Sequence, residues 1–295
     1  MHSARARLAT ERDPRRGGGP PRTRVRLLHS DWPLMLRRTL LAERAAVIDW
    51  AEREATATGV HLTAGGAGPC GGDRLGLEVR VGAGSTLVLG EVSATVLLPG
   101  PHGEESRLHI DIRVEAGGTL VWLPEPVIAA HGCRHRTRIH IALAPGARLL
   151  LREEVLCGRY GEQPGAFRQR LRAVVGDRPL YDQELAVGPD APGWAGPAVT
   201  AGHHAIGSVL VVDPAMDLPT SPPAGLRSGG GGAGEGTVMP LAGPGLLVGS
   251  LAPDSTTLRR RLDAALDDIL TGVLTGRPAE GLSRGPRPVS APARG

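Results

Sequence analysis

Three stretches in the middle of the chain share one pattern when laid over one another without gaps. Arg74 opens "RLGLEVRVGAGSTLVL", Arg107 opens "RLHIDIRVEAGGTLVW" and Arg136 opens "RTRIHIALAPGARLLL". The first half of each alternates: Leu75, Leu77, Val79 and Val81; Leu108, Ile110, Ile112 and Val114; Thr137, Ile139, Ile141 and Leu143. A period of two puts those side chains on one buried face of a strand. Each stretch then reaches a glycine at the same offset, Gly84, Gly117 or Gly146, where a positive φ turns the chain before an apolar run resumes. The pattern predicts one β-hairpin per unit. A weaker fourth copy follows, with Leu171, Ala173 and Val175 ahead of "GDRPLY", a Gly-Asp turn of the kind hairpins favour. No unit has enough apolar face to stand alone, so neighbours are expected to stack and cover one another. The predicted fold class is all-β, mainly strands with few helices, in an elongated scaffold of stacked strands and hairpins.

Helical periodicity is sparse. Pro33 to Glu54 mixes helical and extended character. In Ser255 to Thr275, Leu258, Leu262, Leu266, Ile269 and Val273 recur at threes and fours behind Asp254 or Ser255 as a cap, which predicts a helix over 255–275 packed on the sheet. Residues 1–22 and 276–295 are rich in Arg, Pro and Gly and are expected to form disordered tails. The Gly-rich run 221–236 reads as a long surface loop within a single β domain over 23–275.

Composition changes this picture little. All 34 basic residues are arginine, the net charge is +4, and four Trp, two Tyr and one Phe make up the aromatics. Single-stranded nucleic-acid binding needs stacking aromatics beside the charge, so the basic balance does not point to nucleic acid. Three cysteines, Cys70, Cys133 and Cys157, cannot all pair within the chain, and no apolar run near the start is long enough for a signal peptide's centre. No window approaches the roughly 18–20 apolar residues that cross a bilayer. Reduced thiols, a cytoplasmic location and no membrane partner are therefore expected.

The candidate chemistry lies at "HGCRHR", where His131, Cys133 and His135 alternate. On an extended strand they would share a face with Cα atoms about 7 Å apart, and imidazole with thiolate suits zinc, nickel or copper. Alternate positions on one strand are too far apart for a tight site without ligands from elsewhere. His140, on the outward face of the third repeat, reads as a solvated histidine, and the paired His203 and His204 are a weaker metal candidate than the trio. No G-x-S-x-G elbow, H-E-x-x-H helix or G-x-x-x-x-G-K-[ST] loop occurs, and no catalytic constellation is evident.

Residues 71–185 resemble the urease accessory protein UreD family, also called UreH. The likeness lies in "GGDRLGLEVRVGAGSTLVL", "LVWLPEPVI", "RTRIHIALAPGARLLLREEVLCGRYGE" and "FRQRLRAVVGDRPLYDQEL", in that order. The resemblance implies a scaffold of stacked strands that is not an enzyme, binds no cofactor tightly, and assembles with UreF-like and UreG-like proteins on apo-urease so that nickel reaches the active site, with nickel touching it transiently. Carried over by position, Asp73 matches a Gly-Asp motif, Trp122 and Pro124 a Trp-Leu-Pro segment, and Glu154, Gly158, Arg159 and Glu162 a Glu and Gly-Arg-x-x-Glu segment. "GEVSATVLLPGPHG" departs from the family's Thr-Pro-Ala-Ala-Thr-Lys run, and the chain has no lysine to supply that position. Two other readings of the residues stand beside it: a metal-dependent enzyme built on His131, Cys133 and His135, and a generic β-repeat protein-binding module.

Overall fold

A computed structural model describes residues 1–13, 21–41, 43, 45–215 and 236–275. The N-terminal part contains β1 (Ser3–Asp13), β2 (Arg22–His29), β3 (Leu34–Thr39), helix α1 (Ala45–Ala51) and β4 (Thr58–Ala64). The repeats follow as β5 (Arg74–Val81), β6 (Thr86–Glu91), β7 (Thr95–Leu97), β8 (Ser106–Val114), β9 (Thr119–Leu123), β10 (Val127–Ala129), β11 (Arg134–Leu143) and β12 (Arg148–Leu156). Then come β13 (Ala166–Val175), β14 (Arg178–Val187), β15 (Ala205–Val212), β16 (Gly236–Pro240), β17 (Gly245–Ala252) and helix α2 (Ser255–Thr275).

The strands form two sheets. A seven-stranded sheet runs β14-β13-β11-β8-β5-β1-β2; a ten-stranded one runs β16-β17-β15-β12-β9-β6-β4-β3, with β7 and β10 attached beside β12. The fold is mainly β, and the repeats stack in parallel in a solenoid-like arrangement. Arg74 pairs with Arg107, Arg107 with Arg136, and Arg136 with Arg168, the register given by the ungapped overlay. The fourth copy joins the stack: Ile139, Ile141 and Leu143 lie beside Leu171, Ala173 and Val175.

One expectation is corrected here. The first three units are not hairpins, because β5, β8 and β11 enter one sheet while β6, β9 and β12 enter the other. The turns carrying Gly84, Gly117 and Gly146, with φ of 61°, 65° and 80°, lead the chain from sheet to sheet. Alternation reports which face of a strand is buried, not which strand it bonds to. A cue was present in the second arms: Thr86 to Gly90 and Thr119 to Leu123 are buried without interruption, as strands covered on both faces must be. Of the four repeat turns, Gly176-Asp177 alone joins antiparallel neighbours, β13 and β14.

The N-terminal tail is the second correction. Ser3–Asp13 is a strand lying between β2 and β5, parallel to β5. Its Ala4, Ala6 and Leu8 are buried while Arg5 and Arg7 face out. The same period of two runs through "SARARLATE"; arginine-rich composition concealed it because alanine is a weak apolar signal. The expected tail over 276–295 lies outside the described residues, as does the loop over 221–236 apart from Gly236, which opens β16.

Side chains between the sheets, among them Leu77, Ile112, Ile141, Leu149 and Leu151, form one core. A second core lies between the outer face of the ten-stranded sheet and the two helices, where Val121, Leu150 and Val209 meet Trp50, Leu258, Leu262 and Leu266. Asp254 caps α2 by accepting from the Thr257 amide at 2.8 Å. Gly207 on β15 lets the helix approach: a Cβ there would lie 2.7 Å from Leu262 Cδ1 and 3.0 Å from Leu258 Cδ2. Gly207→Val should therefore cost about 1–3 kcal/mol in urea unfolding by forcing α2 off the sheet, and an unchanged midpoint would show that the helix contact is slack.

Candidate functional site: the charged strand β12

The run "LLLREEVL" places three charged residues inside an apolar strand, so alternation sends them to opposite faces. Leu149 and Leu151 face the core between the sheets, with Glu153 next on that face; Leu150, Arg152 and Glu154 face helix α2.

Beneath α2, Glu154 and Arg152 have side chains 1% and 9% exposed. Arg152 Nε lies 2.9 Å from Glu154 Oε1, and Arg152 Nη1 donates to Asp263 Oδ1 at 3.0 Å. Arg259, one turn before Asp263 on the helix, donates to Glu154 and, at 3.2 Å, to Glu125. The other carboxylate oxygen, Glu154 Oε2, finds no hydrogen-bond donor among the described residues. Burial pushes the Glu154 carboxyl up, and the two guanidinium groups pull it back. Glu91, at the end of β6, is raised to about 8 by burial and, less, by the neighbouring Glu125 carboxylate, against a backbone hydrogen bond from Glu125 that lowers it.

A carboxyl raised in the folded state keeps its proton while the unfolded chain gives it up, so it contributes stability below its unfolded value that fades as pH rises toward 8. Glu91→Gln should thus raise the melting temperature at pH 8 by about 2–4 °C and leave it nearly unchanged at pH 4. Equal effects at both pH values would count against a protonated Glu91.

On the opposite face of β12, Glu153 lines a cavity of about 420 Å³ between the sheets, together with Gln169, Tyr181, Gln183 and Thr200. Gln169 Nε2 donates to Glu153 Oε1 at 2.7 Å, and burial raises the Glu153 carboxyl to about 7. Sequence reasoning missed Glu153, Arg152, Arg259, Glu125 and Glu91. The available signal was three charges interrupting an otherwise apolar strand.

The residues singled out from sequence are dispersed. Asp73, 2% exposed, accepts from the backbone amides of His2 at 2.7 Å and Cys70 at 3.0 Å, fastening β1 beside β5. Trp122 is buried between the sheets and Pro124 follows the end of β9. Gly158, with φ 92°, begins an exposed turn in which Arg159 donates through two nitrogens to Glu162. Those bonds hold the Glu162 carboxyl down at about 2. Among these residues, Glu154 alone belongs to the cluster beneath α2.

His131, Cys133 and His135 do not share a strand face. Gly132, with φ 76°, turns the chain between the first two, and β11 begins only at Arg134. His131 is exposed; Cys133 is buried in an apolar cluster with Cys157 and Phe167. His135 is buried with both ring nitrogens bonded, to Ser106 Oγ at 2.7 Å and Thr137 Oγ1 at 2.9 Å, and burial lowers it to about 4. Among the described residues no three His, Cys, Asp or Glu side chains converge to hold a metal ion. Burial also raises Cys133 to about 11 and Cys157 to about 12, so both thiols should stay silent to a thiol reagent in the native protein while half-buried Cys70 reacts. Prompt native modification of all three would contradict that packing.

The sequence of the chain matches a known family across almost its whole length. The model of the UreD urease accessory protein covers residues 2–283. The chain belongs to the UreD family. A UreD protein of a Parafrankia species is 41% identical over 96% of this chain and 92% of its own length. Relatives from Streptomyces avermitilis and Streptomyces griseus are each 42% identical, over 88% and 90% of this chain and 97% and 96% of their own. All three are called urease accessory proteins, and this UreD-family chain is an accessory protein, not an enzyme. No described helix is long and apolar enough to cross a membrane.

Proposed function

We propose that the chain is a urease maturation factor: a cytoplasmic, non-catalytic scaffold that joins UreF-like and UreG-like partners on apo-urease and assists nickel insertion into the urease active site. The family match over residues 2–283 carries this reading. The structure supports it in a second way, since the ionisable groups beneath α2 are paired with one another, as suits a rigid docking body. Nickel is cargo in this scheme and touches the chain transiently. Co-expression with urease subunits and UreF-like and UreG-like proteins, followed by affinity capture of this chain and metal analysis, tests it. The expected result is a co-purifying complex, and urease that gains nickel only when the chain is present. Capture without partners, or equal nickel loading in its absence, would overturn the proposal.

A further inference from the structure

The outer face of the seven-stranded sheet carries a ladder of arginines. Strand register sets Arg74, Arg107, Arg136 and Arg168 side by side on β5, β8, β11 and β13, at the strand spacing of about 4.8 Å. Like charges directly opposed on neighbouring strands weaken a sheet. Part of this repulsion is offset: Glu105 lies 3.6 Å from Arg107 and 3.0 Å from Arg136, and Glu184 pairs with Arg168. A second set is left over. Among the described residues Arg74, Arg80, Arg113, Arg138 and Arg172 are exposed and have no carboxylate within ion-pair distance. Arg74, Arg107, Arg136 and Arg138 line a groove of about 800 Å³ across β1, β5, β8 and β11.

We infer that this arginine face is a docking surface for an acidic face of a folded protein partner. Guanidinium groups are planar, permanently charged forks that match carboxylates in pairs, and a rigid sheet holds them at a fixed pitch before the partner arrives. Other occupants fit worse. The chain's own residues 276–295 carry Arg277, Arg284, Arg287 and Arg294 against Glu280, so they are repelled. A second copy meeting this face with the same face would oppose arginine to arginine. Nucleic acid would find no stacking platform, because no Trp, Tyr or Phe occupies an outward position on β5, β8, β11 or β13. It would also meet Glu78 and Asp111, which sit side by side across the middle of the patch. A protein surface can leave a gap or place a cation opposite those two carboxylates; a continuous polyphosphate cannot. The inference goes beyond the maturation role and does not depend on urease.

The test uses the full chain and, as probe, a fluorescein-labelled alanine-based helix bearing glutamates along one side, followed by fluorescence anisotropy over a salt series. Binding should weaken steeply with salt, and R74E/R138E should lower affinity about tenfold or more. R284E/R287E makes the same charge change in the tail and should stay within about twofold of the parent. Should the Glu variant fail to fold, R74Q/R138Q removes the charges alone and should still cost about threefold or more. Equal losses in the ladder and tail variants, or none in the ladder variants, would overturn the inference. So would tighter binding of a single-stranded oligonucleotide through the same arginines, or self-association that R74E/R138E abolishes.

Discussion

Replacing Glu154 by Ala should destabilise the protein by about 3 kcal/mol in urea unfolding. The carboxylate sits between Arg152 and Arg259, and its side chain is 1% exposed. Its loss leaves Arg152, 9% exposed, facing Arg259 with Asp263 and Glu125 as remaining counter-charges. Desolvation has already lowered the Arg152 guanidinium, with Arg259 adding to it, so removing the anion raises the cost of keeping both cations there. Replacing both Arg152 and Glu154 by apolar residues of similar volume should cost less than Glu154→Ala alone, because the two most buried charges leave together while Arg259 keeps Glu125. Equal losses in the single and double variants would show that packing, not charge pairing, holds α2 to β12.

The other large effect is expected at Trp50, on helix α1. Trp50→Ala should cost about 4–5 kcal/mol, at the upper end for removing a buried aromatic. The indole is fully buried, donates to Asp213 Oδ2 at 2.9 Å, and lies under the Arg148 guanidinium, 4.9 Å from the ring centroid. Arg148 in turn donates to the carbonyls of Trp50 and Ala51 at the end of α1, so one side chain ties the helix to the start of β12. Burial lowers the Arg148 guanidinium to about 10, with Arg53 adding to it and Asp213 opposing. Trp50→Phe keeps most of the volume and loses the indole donor; about 1–2 kcal/mol is expected, since Asp213 retains Arg53 at 2.8 Å. A Phe variant as unstable as the Ala variant would mean that the hydrogen bond, and not the buried volume, holds α1 in place.

These two sites were legible to different degrees. Glu154 was picked out through the family resemblance, but its partner Arg259 lies about a hundred residues further along the chain, as does Asp263, the partner of neighbouring Arg152. Trp50 fell within a segment of mixed character, and nothing in the local sequence announces that Asp213 will meet it. The His131, Cys133 and His135 trio shows the reverse failure. Alternating letters suggested a shared face, whereas Gly132 turns the chain before the strand begins.

The sequence by itself determined the strands of the repeats, their buried faces and the register of their stack, because period two and an ungapped repeat are local properties that a parallel ladder preserves. It also determined α2, from spacing and the Asp254 cap. The tertiary structure alone decided that the repeat arms separate into two sheets and that Ser3–Asp13 completes one of them. The physical reason is that hydrogen-bond partnership and charge proximity between distant segments depend on which surfaces the whole chain can bury together, and no window of neighbouring residues carries that information.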